Sequence, residues 1–92
     1  MLTFKDCVGL CDLTEDEVDA ISHHEHLPGI VALELGDFLL HQPRGAACLR
    51  RLLEDNIAQA AARRDFRQAT HLMGVLRGFV ARNGVKATAR DA

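Results

Sequence analysis

Residues 46–84 read AACLRRLLEDNIAQAAARRDFRQATHLMGVLRGFVARNG. Within them Leu49, Leu52, Leu53, Ile57, Ala60 and Ala61 recur at steps of three and four, the period of one helical face. The alanine-rich stretch 58–62 adds intrinsic helix propensity, and together these features predict a helix over 46–63. Asp65 is a candidate cap for a second helix over 65–82, whose apolar stripe is Phe66, Ala69, Leu72, Met73, Leu76, Phe79 and Val80. Asn83-Gly84 supplies a stop. Two long amphipathic helices joined by so short a turn are expected to fold back on each other as an antiparallel hairpin.

Upstream of this hairpin, Gln42-Pro43-Arg44-Gly45 is the clearest break in the chain and reads as a turn within one domain. Thr14-x-x-Glu17 has the form of a capping box, in which the threonine hydroxyl accepts an amide proton and the glutamate reaches back to the cap. It opens a helix predicted over 14–26. Pro28 disfavours helical backbone in the residue before it and is tolerated in a first turn, so the next helix is expected over 28–41. Thr3 is placed to cap a short helix over 3–10 carrying Phe4, Cys7, Val8 and Leu10. The tail, 84–92, is expected to fray. The reading is thus all-α: one domain over 1–92, a small bundle of about five helices ending in the hairpin.

Composition agrees. At 92 residues, 48% apolar and 26% charged, the chain is one globular domain rather than a disordered tail. Four Phe with no Trp or Tyr, and only two Pro, disfavour a sandwich or barrel. A chain this small buries a limited share of its surface, which raises the expectation of a partner chain, a bound metal or close helical packing. Charge is segregated: residues 1–42 hold nine acids against Lys5, a net −8, whereas residues 43–92 hold ten bases against Glu54, Asp55, Asp65 and Asp91, a net +6. Such halves attract each other within a chain or across a dimer. Cys7, Cys11 and Cys48 make an odd count without zinc-knuckle spacing, and no secretory leader is recognisable, so a cytoplasmic protein without a disulfide framework is expected. The most apolar stretch, 30–40, is interrupted by Glu34 and Asp37 and falls short of the ~20 residues a membrane span requires.

The stretch richest in chemistry is Ser22-His23-His24-Glu25-His26-Leu27-Pro28, followed by Glu34, Asp37 and His41. Glu25 lies seven residues after Val18 and four after Ile21, which projects it from an apolar stripe, where a carboxylate requires a hydrogen bond, an ion pair, a proton or a metal. On the following helix, Ile30, Glu34, Asp37 and His41 share one row at steps of four, three and four. Carboxylates and imidazoles projecting into a bundle build iron, manganese or zinc sites. The candidate ligands of a divalent transition metal are therefore Glu25, Glu34 and His41, with His26, His24 and Asp37 beside them. Arginines of the helix over 46–63 would act as charge-balancing groups behind them. The sequence lacks the Glu-x-x-His of ferritin-like di-iron helices and His-Glu-x-x-His. The plainer reading pairs Glu25 and Glu34 with Arg50, Arg51 or Arg77 and leaves the histidines in solvent.

Residues 11–41, CDLTEDEVDAISHHEHLPGIVALELGDFLLH, resemble a family of short, uncharacterised alphaproteobacterial proteins with an HEHxPxIVAxELGxxLLH core, and the likeness extends more loosely over nearly the whole chain. The resemblance implies a bacterial, cytoplasmic, helical protein and brings no activity with it. A non-catalytic interaction module is the alternative to a metal protein: the apolar helix over 28–41 is suited to burial against the same helix of a second chain in a two-fold homodimer. Nucleic-acid binding by the arginine-rich hairpin is disfavoured by a pI of about 6.2 and by arginines that form no single stripe. No P-loop, dinucleotide fingerprint or nucleophile elbow is present, and the sequence supplies no clear acid, base or nucleophile for an enzyme.

Overall fold

The computed structural model describes residues 12–88, with side chains up to Gly84. Four helices make up this part of the chain: α1 (Glu15–Glu25), α2 (Gly29–Leu40), α3 (Gly45–Ala62) and α4 (Phe66–Thr88). The all-α expectation holds, with four helices among the described residues. The short helix expected over 3–10 and the end of the tail lie outside them.

Each boundary has a local cause. Thr14 caps α1 through both arms of the box: its hydroxyl accepts from the Glu17 amide at 3.2 Å, and the Glu17 carboxylate accepts from the Thr14 amide at 2.9 Å. The helix ends where His26 enters the left-handed region at φ 56° and donates its N–H to Ser22 O. The Leu27 amide also donates to Ser22 O, and the Ser22 hydroxyl donates to Leu27 O, which ties the connection to α2. Pro28 is the residue before α2 rather than its first turn, its carbonyl accepting from the Ala32 amide at 2.9 Å. A second left-handed residue, Arg64 at φ 62°, closes α3, with the Asp65 amide donating to Ala60 O and the Arg64 amide to Ala61 O. Asp65 then caps α4, as expected, by accepting from the Gln68 amide at 3.2 Å. Gly84 does not end α4. With φ 47° and ψ −123° it departs from helical geometry for one residue, and the helix resumes to Thr88, so the expected stop is a kink.

α3 and α4 share the largest helix contact of the fold, as the short connection requires, and α1 and α2 pack across the pair. The core joins Val18 and Ile21 of α1, Ala32 and Leu33 of α2, Leu49, Leu52 and Leu53 of α3, and Leu72 and Phe79 of α4. Phe79 is fully buried. Burying a side chain of that class contributes about 1.5–3 kcal/mol. Leu13, just before α1, reaches the α1–α2 contact at Gly36, where a Cβ would lie 2.6 Å from Leu13 Cδ1 and 2.9 Å from Ile21 Cδ1. α1 and α2 approach so closely because that position has no side chain. Two members of the expected α4 stripe face outward instead, Phe66 and Met73, and Ala61 of α3 does likewise.

Candidate functional site

The histidine and carboxylate residues singled out in the sequence lie on the surface of α1 and α2. Glu25 does not project into the core: its side chain is 41% exposed and its Oε2 lies 2.6 Å from His24 Nδ1. α1 is too short for the apolar stripe to run that far, since its buried positions end at Ile21. His24 Nε2 is also 3.7 Å from Asp55 Oδ2 of α3, so His24 sits between two carboxylates. His26 is exposed and serves as the left-handed end of α1. The row Ile30, Glu34, Asp37 and His41 is the outward row of α2: Ile30, Glu34 and His41 are exposed and Asp37 is half-buried, whereas Ala32, Leu33 and Gly36 face the core. His41 Nδ1 lies 2.7 Å from Asp37 O and 3.9 Å from Asp37 Oδ1, a contact within one turn. Among the described residues no three His, Cys, Asp or Glu side chains are grouped to hold a metal ion. The six candidate ligands are thus brought together only as the neighbours His24 with Glu25 and Asp37 with His41.

The arginine pairings also differ from the expectation. Arg50 pairs with Glu54 of its own helix at 3.3 Å. The carboxylate that is buried and paired is Glu17, 3% exposed at the side chain, which accepts from Arg82 of α4. Glu17 is legible in the sequence as a cap; its second partner, 65 residues away, is not.

Two surfaces stand out. The first is apolar. Ile30 is 47%, Val31 40% and Phe38 59% exposed, and half-buried Leu35 lies between Val31 and Phe38 on the same row of α2. α2 therefore presents apolar residues both to the core and to the outside. The second is polar, a cleft of about 460 Å³ bounded by α1, α3 and the start of α4. Asp16, Asp19 and His23 enter it from α1, where spacings of three and four place them on one face. Asp65 and His71 enter from the α4 side, and His71 Nε2 lies 3.8 Å from Asp16 Oδ1. Asn56 of α3 lines the cleft and is only 3% exposed. Its Nδ2 donates to Ala20 O at 2.9 Å, but its Oδ1 has no hydrogen-bond partner among the described residues. The Asp19 carboxyl is pushed above the usual carboxylate range, first by burial and then by the charges of Glu15 and Asp16, against a smaller opposing effect of His71.

This cleft was missed in the sequence, although Asn56 stands three residues after Leu53 and four before Ala60, a polar interruption of the α3 stripe. No helix among the described residues is long and apolar enough to cross a membrane. In comparisons with known proteins, no family model, no curated protein and no solved structure matches this chain.

Proposed function

We propose that the protein is a small, non-catalytic helical interaction module that pairs with a second copy of itself through the outward face of α2. The observation that carries this reading is the exposed pair Val31 and Phe38, with half-buried Leu35 between them and exposed Ile30 beside them, on a helix whose opposite face already fills the core. A chain with a core this small gains from covering such a row, and contiguous apolar surface is uncommon on monomers. The row is also self-complementary. An antiparallel crossing centred between Glu34 and Leu35 sets Phe38 of each copy over Val31 of the other, the reciprocity that a two-fold interface requires. Glu34, Asp37 and His41 then flank the contact as its polar rim.

The same pairing doubles the row of Glu34, Asp37 and His41, so the sequence-based expectation of iron, manganese or zinc is compatible with the dimer and is pursued on the same sample. The odd cysteine count favours the cytoplasm as its place of action.

Light scattering on the eluting protein tests the reading. The parent is expected at about twice the 10.1 kDa chain mass, and Phe38→Glu at the chain mass with an unchanged helical spectrum. A parent that stays monomeric at high micromolar concentration, or a Phe38→Glu variant that remains dimeric, overturns it.

A further inference from the structure

α4 has one face that neither the core nor the α2 row uses. Phe66, Thr70, Met73 and Arg77 follow one another along it at steps of four, three and four, with Arg67 beside them, and all five are exposed. Phe66 is 62% and Met73 49% exposed, whereas Ala69, Leu72 and Phe79 of the same helix fill the core. Thr70, between the two apolar side chains, has its hydroxyl satisfied within the helix, where it donates to Phe66 O at 2.8 Å. The charge on this face is of one sign. From Phe66 to Arg90 the sequence holds no Asp or Glu, and Arg63 and Arg64 are exposed just before the helix. Arg82 is occupied by Glu17, but Arg67 and Arg77 make no ion pair among the described residues.

We propose that this face of α4 docks on an anionic lipid bilayer, with Phe66 and Met73 entering the headgroup region and Arg67 and Arg77, together with Arg63 and Arg64, meeting the lipid phosphates. Charge complementarity selects an anionic surface: a helix without carboxylates gains roughly fivefold in affinity for each arginine it brings to such a bilayer. The apolar side chains among the arginines select lipid over a nucleic-acid duplex, whose backbone is held by charged and polar groups and would leave an exposed Phe and Met unused. The face is the outer, convex side of one helix, while the clefts that α4 lines are shared with α1. A flat interface therefore fits it better than a peptide, which seats in a groove or along a sheet edge. Such attachment lies in the plane of the interface and requires no helix that crosses the bilayer.

The test is flotation with vesicles of phosphatidylglycerol and phosphatidylcholine in equal parts, against vesicles of phosphatidylcholine alone. The chain has no Trp, so Phe66→Trp adds a fluorophore at the inserted position without a competing signal. Binding to the anionic vesicles is expected, with a blue shift in the emission of that variant. Phe66→Ser with Met73→Ser, and separately Arg67→Glu with Arg77→Glu, are each expected to weaken binding by roughly tenfold or more. All four side chains are exposed, so the variants are expected to fold, and melting curves verify this. Failure to float with anionic vesicles overturns the proposal, as does equal binding to the neutral ones. Binding that falls in the arginine variant but not in the Phe66 and Met73 variant, or equally tight binding to duplex DNA, marks a general polyanion surface and overturns it too. Floating Phe38→Glu in parallel separates this result from the fate of the dimer, because the two faces share no residue.

Discussion

Arg82 extends from α4 to the N-terminus of α1 and places one guanidinium nitrogen, Nη2, 2.5 Å from each carboxylate oxygen of Glu17. The carboxylate is buried, whereas the arginine side chain is 41% exposed. One of the two Glu17 oxygens, Oε1, also accepts from the Thr14 amide, so a single side chain finishes α1 and fastens it to α4. The two ends of the pair are therefore unequal. Removing the arginine strands a buried charge, and removing the glutamate leaves an arginine that water can reach.

Arg82→Met is accordingly expected to destabilise the fold by about 3 kcal/mol at neutral pH, in the range found when a buried pair is broken. Glu17→Gln keeps hydrogen-bonding capacity at the cap and is expected to cost about 1 kcal/mol, the scale of a weakened cap. Urea unfolding of both single variants and the double variant measures the coupling. Additive losses would show that the pair contributes nothing beyond the separate residues.

Asn56 invites an opposite expectation. Substitution by leucine forfeits one hydrogen bond, worth about 1 kcal/mol net, but it also removes an acceptor whose burial without a partner costs about 1–3 kcal/mol. Ala20 O loses little, because it lies inside α1, where helical bonding already supplies a partner. Asn56→Leu is expected to be as stable as the parent or slightly more so in chemical denaturation. A loss of several kcal/mol would show that the free oxygen is satisfied in solution.

The glycines at the two close approaches should differ in their tolerance of a methyl group. At Gly36 a Cβ meets the ends of flexible side chains, Leu13 and Ile21, so Gly36→Ala falls in the ordinary range of overpacking, about 1–3 kcal/mol. At Gly45 the obstacle is the backbone carbonyl of Leu39, which cannot move without opening the α2–α3 turn. Gly45→Ala is expected to be the more damaging of the two, and thermal melts of the pair rank them directly.

How much of this was legible follows from the range of the interactions involved. Both helices of the hairpin, the Thr14 box and the Asp65 cap rest on neighbours three or four residues apart, and the periodicity exposed them. The facing of α2 was not legible, because that helix is apolar around most of its circumference. Ile30, Glu34, Asp37 and His41 form a true row, but nothing local says that Ala32, Leu33 and Gly36 win the core instead. The smallness of Gly36, which lets Leu13 and Ile21 approach, is the signal that outweighed hydrophobicity. The pairing of Glu17 with Arg82 and the orphaned oxygen of Asn56 depend on residues far apart in sequence, and no spacing rule announces them.

Asp19 gives the fold a small pH dependence of definite sign. Its carboxyl is raised above the ordinary range, so the folded state binds its proton more tightly than the unfolded chain does. Stability from this group is therefore greatest at pH below the unfolded value and declines as pH rises through the folded one. Asp19→Asn should melt above the parent at pH 7, with the gain shrinking to nothing as pH falls below the carboxylate range. A gain that persists in acid would assign the effect to packing rather than to charge.

His26 separates a structural role from a ligand role. It holds the left-handed position at the end of α1, φ 56°, where glycine is favoured because a Cβ is strained. If that backbone role is its whole contribution, His26→Gly raises the melting temperature, by about 1 kcal/mol of stability, the usual scale of left-handed strain. Metal binding makes the opposite demand. With zinc, manganese or iron(II) held near-stoichiometrically by Glu25, Glu34 and His41 together with His26, the glycine variant loses metal and with it the upward shift in melting that bound metal confers. Elemental analysis of untagged protein, prepared without chelator, reads the two cases apart. A stabilised variant with unchanged metal content assigns His26 to the turn; loss of metal in His26→Gly, and equally in His41→Ala, assigns both imidazoles to metal binding.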